Sequence, residues 1–196
     1  MKPVRLAILG LGTVGGGALK LLQENAAEIK RRTGREIQIT HVGTRRPRPD
    51  LQLEGIKQSS DLMEIVRQPD VDVVVEVMGG IHPAYEVIME AIKHGKQVVT
   101  ANKALLAEHG NELFKAAEDN AVQIAYEAAV AGGIPIIKVI REGLAANHIE
   151  WLAGIINGTG NFILTEMREK GRAFDDVLKE AQELGYAEAD PTFDVE

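Results

Sequence analysis

The chain of 196 residues is long enough for one well-buried domain and part of a second, and its 45% hydrophobic and 26% charged residues place it with globular rather than fibrous or disordered proteins. A formal charge of −7 argues against general nucleic-acid binding, and no apolar run reaches the ~20 residues that span a bilayer, so neither nucleic acid nor membrane is an expected partner. Met1-Lys2-Pro3 passes straight into an apolar run without a signal-peptide core, and the absence of cysteine excludes disulfides and a thiolate nucleophile; both suit a cytoplasmic protein.

Val4 to Leu9 is a nearly continuous apolar run with one arginine, the pattern of a strand buried on both faces of a parallel sheet. Gly10, Gly12 and Gly15 then spell G-x-G-x-x-G. Between a strand and a helix these glycines supply a tight turn, an open approach of backbone to a pyrophosphate, and close helix–strand packing. Glycine-rich turns also arise for purely structural reasons, so the motif gains its meaning from that placement. Residues 13–33 carry apolar positions at helical spacing, and Gly34 ends the run after a basic last turn.

Ile37 to Val42 reads as a second strand, followed by Gly43-Thr44-Arg45-Arg46-Pro47-Arg48. An NAD-binding unit usually places an acidic residue here for the ribose 2′-hydroxyl, whereas cationic residues suit the 2′-phosphate of NADP. Arg45, with Arg46 or Arg48 in support, is therefore a candidate 2′-phosphate contact; the plainer alternative is a solvated basic loop. Ser59-Ser60-Asp61 caps a short helix through Arg67, and Val71 to Met78 is a buried strand whose Glu76 should lie at the ligand rim of the sheet. A helix begins at His82-Pro83-Ala84. A strand over Gln97–Thr100 then feeds, through Ala101-Asn102-Lys103, a helix running to about Asn120. Lys103 stands at a helix N-terminus, where the dipole disfavours a cation; function would explain that misfit, as would ordinary exposure. Val122 to Glu127 closes an alternation of five or six strands with helices, the pattern of a doubly wound parallel sheet.

Beyond it the rhythm changes. Residues 128–135 are small and glycine-bearing, able to converge carbonyl oxygens on a hard cation or simply to turn into a helix over 136–144. A strand is expected over 149–156, containing Trp151, then helices over 162–170 and 174–184 and an acidic tail.

Taken together, G-L-G-T-V-G-G-G, T-A-N-K-A-L-L-A at 100–107, E-A-A-V-A-G-G-I-P-I-I at 127–137, G-I-I-N-G-T-G-N-F-I-L-T-E-M at 154–167 and L-G-Y-A-E-A-D-P at 184–191 resemble homoserine dehydrogenases along the whole chain. The resemblance implies a Rossmann-type NAD(P)-binding domain over 1–126 and, over 127–196, the incomplete start of an α+β substrate-binding and dimerisation domain. The implied reaction is the NAD(P)-dependent interconversion of L-homoserine and L-aspartate 4-semialdehyde, in threonine, methionine and isoleucine biosynthesis. NADP(H) is the expected preference, NAD(H) the alternative, and a homodimer the expected state of the complete protein.

By motif, Gly10, Gly12, Thr13, Val14 and Gly15 would hold the pyrophosphate. Arg45 and Arg46 would meet the 2′-phosphate, Thr100 would be a further cofactor contact, and Lys103 would lie beside the nicotinamide and substrate and be catalytic. Glu188 and Asp194 would bind substrate, and Glu127, Val130, Gly132 and Ile134 would bind sodium, largely through carbonyls. The family pattern continues through a G-x-D-A-x-x-K segment with a second lysine, which this sequence does not reach. The isolated chain is therefore expected to bind NADP(H) without appreciable turnover; a non-catalytic nucleotide-binding module is the competing reading.

Overall fold

The computed structural model describes residues 2–154 and 157–187. Six parallel strands form one sheet in the order β3-β2-β1-β4-β5-β6: β1 (Val4–Leu9), β2 (Ile37–Gly43), β3 (Lys57–Ser59), β4 (Val73–Glu76), β5 (Gln97–Thr100) and β6 (Ile124–Ala125). The order turns back at β1, so the loops leaving β1 and β4 part there and open a crevice at the carboxyl ends of the strands. Register aligns Leu9 with both Gly43 and Glu76, and Glu76 with Thr100, which puts these residues in one row along that rim.

Both sheet faces are covered, which is why β1 lacks a polar side. Ala7 and Leu9 pack with Val74, Val98, Ile65, Ile88 and Leu105 on one face; Ile8 and Val42 pack with Leu19 and Leu51 on the other. Each fully buried Ile or Leu contributes about 1.5–3 kcal/mol of transfer free energy. The helices over the sheet are α1 (Thr13–Glu24), α2 (Ala26–Thr33), α3 (Leu62–Arg67), α4 (Ala84–Lys93) and α5 (Lys103–Asp119). The arginine of the first strand is accounted for: Arg5 grips Asp72 through Nε (3.0 Å) and Nη2 (2.7 Å), and this hydrogen bonding holds the Asp72 carboxyl down to about 2.

Several expected elements differ in extent. The helix over 13–33 breaks at Asn25, whose side-chain amide donates to the Leu21 carbonyl (3.0 Å) and competes with the backbone there. β3 went unread because its sequence, Lys-Gln-Ser, carries no apolar alternation on an edge position. The strands expected over 71–78 and 122–127 contract to Val73–Glu76 and Ile124–Ala125. Glu127 instead opens a 3-10 turn, Glu127–Ala129. The helix over 136–144 is a short turn, α6 (Ile136–Lys138), passing into a π-type turn, Val139–Gly143.

Two compact units divide the chain, Met1–Ala145 and Ala146–Glu196. Within the first unit, the Glu127 carboxylate accepts from the N–H groups of Ile137 and Lys138 (2.9 Å each), which holds the segment after β6 together. In the second unit, α7 (Gly158–Lys170) starts earlier than expected because Asn157 caps it, accepting from Gly160 N–H at 2.7 Å. α7 packs on α8 (Phe174–Glu183) through Ile163, Val177 and Ala181. Arg172 bridges the pair, binding Glu166 on α7 and Glu180 on α8. The strand expected over 149–156 does not form at 149–154, where Trp151 is 78% exposed, and 155–156 lie outside the described residues. Among the described residues, this unit holds no second strand to pair with it.

Candidate nucleotide-binding site

Each motif glycine meets a distinct demand. Gly10 has φ +97°, in the left-handed region, and a Cβ there would lie 2.9 Å from the Val77 carbonyl oxygen. A Cβ on Gly15 would sit 1.8 Å from the Gly10 carbonyl oxygen, so α1 approaches β1 only because that side chain is missing. Gly12 differs: its backbone is extended and a Cβ would meet nothing within 4 Å. Neither the protein's packing nor its backbone requires glycine at 12, which leaves the space before it for a ligand. Gly12 also starts α1 without a side-chain cap or an acidic residue in the first turn, so the helix's N–H groups and positive dipole end face that space.

The cleft of about 590 Å³ beside this turn brings Gly10 and Gly12 together with Arg45, Arg46 and Arg48, and it is closed by Leu62, Val77, Met78, Gly79, His82 and Pro83. No carboxylate lines it among the described residues. Thr44 Oγ1 donates to the Arg46 carbonyl (2.7 Å), which folds the 44–46 turn so that Arg45 and Arg46 stay exposed. Arg48 behaves otherwise: it holds Asp50 through Nε (2.9 Å) and Nη2 (2.7 Å), and this bonding brings the Asp50 carboxyl down to about 2. It also lies against Gly16, whose Cβ would come 3.4 Å from its Nη2. Gly43 stands at the position where an acidic ribose ligand is usual; a side chain there would have to displace Leu62, whose Cδ2 a Cβ would meet at 2.5 Å.

Thr13 and Val14 are exposed on the first turn of α1. Thr100 and Lys103 stand outside the cleft lining, at the end of β5 and the start of α5. Lys103 is exposed, whereas Thr100 is fully buried and its hydroxyl donates to Glu76 Oε2 at 2.6 Å. A contact from Thr100 to a ligand would therefore come from its backbone. Glu188 and Asp194 lie outside the described residues.

Glu127, Val130, Gly132 and Ile134 fall within one short loop that has positive φ at Ala131 (48°) and Gly133 (86°). Their oxygens are hard donors of the kind alkali and alkaline-earth cations take. Both Glu127 oxygens already accept a backbone N–H, and the Ile134 carbonyl accepts from Ile136 N–H at 2.8 Å, so a cation would use their remaining lone pairs. His82, Met78 and Leu62 were missed as cleft residues. The sequence marks His82 only as a helix start and Met78 only as the end of a buried strand, and it gives Leu62 no role, because apolar side chains carry no signal of which end of a strand or helix they line.

The fold and this cleft define a Rossmann-type nucleotide-binding domain. A family model described as the NAD-binding domain of homoserine dehydrogenase matches residues 10–127, and one described as homoserine dehydrogenase matches 135–196. The chain belongs to the homoserine dehydrogenase family. It is 61% identical to the homoserine dehydrogenase of Pseudomonas aeruginosa and 42% identical to that of Bacillus subtilis, in each case over its full length but only 45% and 46% of the relative. A solved homoserine dehydrogenase from Thiobacillus denitrificans superposes with a TM-score of 0.92 at 59% identity, covering 100% of this chain and 46% of that one. A hyperthermophilic archaeal homoserine dehydrogenase in complex with NADPH superposes at 0.82 with 28% identity, covering 99% of this chain and 65% of that one. The chain thus spans less than half the length of these curated relatives.

Proposed function

We propose that the protein carrying this chain interconverts L-homoserine and L-aspartate 4-semialdehyde, the oxidoreductase step of threonine, methionine and isoleucine biosynthesis, and that this chain supplies its NADP(H)-binding part. The observation that carries the cofactor reading is the open space at Gly12 beside Arg45 and Arg46, in a cleft without a carboxylate. The first-turn N–H groups of α1, with Thr13 and Val14 beside them, hold the pyrophosphate. Arg45 and Arg46 take the 2′-phosphate, while Arg48, held by Asp50, braces the loop. When bound, the nicotinamide supplies or accepts the hydride of the carbonyl–alcohol conversion. Lys103, at the start of α5, donates a proton from Nζ to the carbonyl oxygen as it becomes a hydroxyl, and takes it back in reverse.

Glu188 holds the substrate's amino group, with Asp194 on the same side. The loop oxygens of Glu127, Val130, Gly132 and Ile134 hold sodium. The working protein is a cytoplasmic homodimer; among the described residues no helix is long and apolar enough to cross a membrane.

The test is homoserine-dependent NADP reduction by the protein carrying this chain. Lys103→Ala should lower kcat by about two orders of magnitude, the scale of a positioned proton donor, while the melting temperature stays put. Near-normal turnover in the variant returns Lys103 to the exposed surface residues.

A further inference from the structure

The row of rim residues contains a buried polar chain that neither the cofactor cleft nor the proton transfer uses. Glu76 is fully buried at the end of β4. Its Oε1 accepts from Met78 N–H (2.8 Å) and its Oε2 from the Thr100 hydroxyl (2.6 Å). Thr100 Oγ1 in turn accepts from Asn102 N–H (3.0 Å). Asn102, itself buried, donates from Nδ2 to the Gly80 carbonyl (2.6 Å) and accepts from Leu105 N–H (3.1 Å) at the head of α5. The chain closes on itself: from the loop after β4 into Glu76, across to β5, and back to the same loop at Gly80. It pins the two connections that lead to Met78-Gly79 in the cleft and to Lys103. Burying three polar side chains at the ligand edge of a sheet that could be sealed with valine is costly unless their placement matters.

A dinucleotide lies across such a sheet with one mononucleotide half on each side of the switch point. The arginines stand after β2, on one side of β1, so the nicotinamide half falls on the β4–β5 side. We propose that Glu76, Thr100 and Asn102 form a positioning relay that sets the nicotinamide end of the site, with Thr100 acting through Glu76 rather than as a direct side-chain ligand. The inference rests on the dinucleotide reading above.

The test titrates this chain with NADPH and, separately, with adenosine 2′,5′-bisphosphate, which has the adenosine end but no nicotinamide. Thr100→Val keeps the shape and removes the hydroxyl; Glu76→Gln keeps the volume and replaces one acceptor with a donor. Both should weaken NADPH at least tenfold and leave the bisphosphate within twofold, and Thr100→Ser should restore NADPH binding. The bisphosphate doubles as a check on folding, since a collapsed variant loses both ligands. NADPH affinity unchanged in either variant, equal loss of both ligands by a variant that keeps the wild-type far-UV circular dichroism, or no rescue by serine overturns the relay while the dinucleotide reading stands. A wild-type chain that binds neither ligand overturns that reading and the relay with it.

Discussion

Gly12 and Gly15, three residues apart where the first turn passes into α1, make opposite demands, and the difference separates packing from binding. At Gly15 an added methyl collides with the Gly10 carbonyl, so Gly15→Ala should destabilise by roughly 1–3 kcal/mol, the usual cost of overpacking. At Gly12 the methyl meets no protein atom, so Gly12→Ala should change stability by less than about 0.5 kcal/mol yet weaken NADPH at least tenfold. Denaturant unfolding and an NADPH titration on both variants check this; a stable Gly15→Ala or a Gly12→Ala that binds normally would be incompatible with the roles assigned. His41 gives a prediction about pH. It is buried in β2, and burial, opposed in part by Asp70, pushes its imidazole below the ordinary value. The unfolded chain therefore binds the proton more readily, and the stability due to neutral His41 is full above pH ~6.5 and falls as pH drops through that value. Unfolding midpoints between pH 7.5 and 5.5 should fall more steeply for the wild type than for His41→Gln.

At the level of elements, the strands and helices with strong patterns were legible and the short polar ones were not. β1 was readable residue for residue because both faces are buried, and α3 because Asp61 caps it, accepting from Glu64 N–H at 2.9 Å. β3 and the break at Asn25 depend on an edge pairing and on one side-chain bond to Leu21, which no periodicity records. The same holds for Lys96, just before β5. Its ammonium is buried, with its pKa lowered by desolvation, and donates to the carbonyls of Gln68 (2.6 Å) and Val71 (2.7 Å), latching the turn between α3 and β4. Lys96→Met removes the charge but strips the Val71 carbonyl of its donor and leaves the Gln68 carbonyl only its bond from Val71 N–H (3.3 Å), so it should cost about 2 kcal/mol, or roughly 4–8 °C in Tm. Calorimetry decides it, and an unchanged Tm would mean that water replaces the ammonium. In the candidate site, the glycines and the basic loop were legible because charge and missing side chains are explicit in the sequence. Thr100 was assigned to the cofactor and its hydroxyl turned inward, since a strand's period of two fixes the side of the sheet but not what a terminal residue bonds.

For the whole molecule, the sheet unit covers both its faces from its own helices and completes the phosphate-binding turn from its own residues. The second unit keeps Trp151, Leu164 and Tyr186 largely exposed around one helix pair. The account's central claim, that the cleft is built for NADP(H), therefore depends on the first unit alone. The most direct measurement is a parallel fluorescence titration of the chain with NADPH and NADH, repeated on Arg45→Ala. A charge-assisted phosphate contact is worth about 1.5–3 kcal/mol, so NADPH should bind roughly tenfold to a hundredfold more tightly, and Arg45→Ala should remove most of that margin while leaving NADH unchanged. Equal affinity of the wild-type chain for the two cofactors would contradict it.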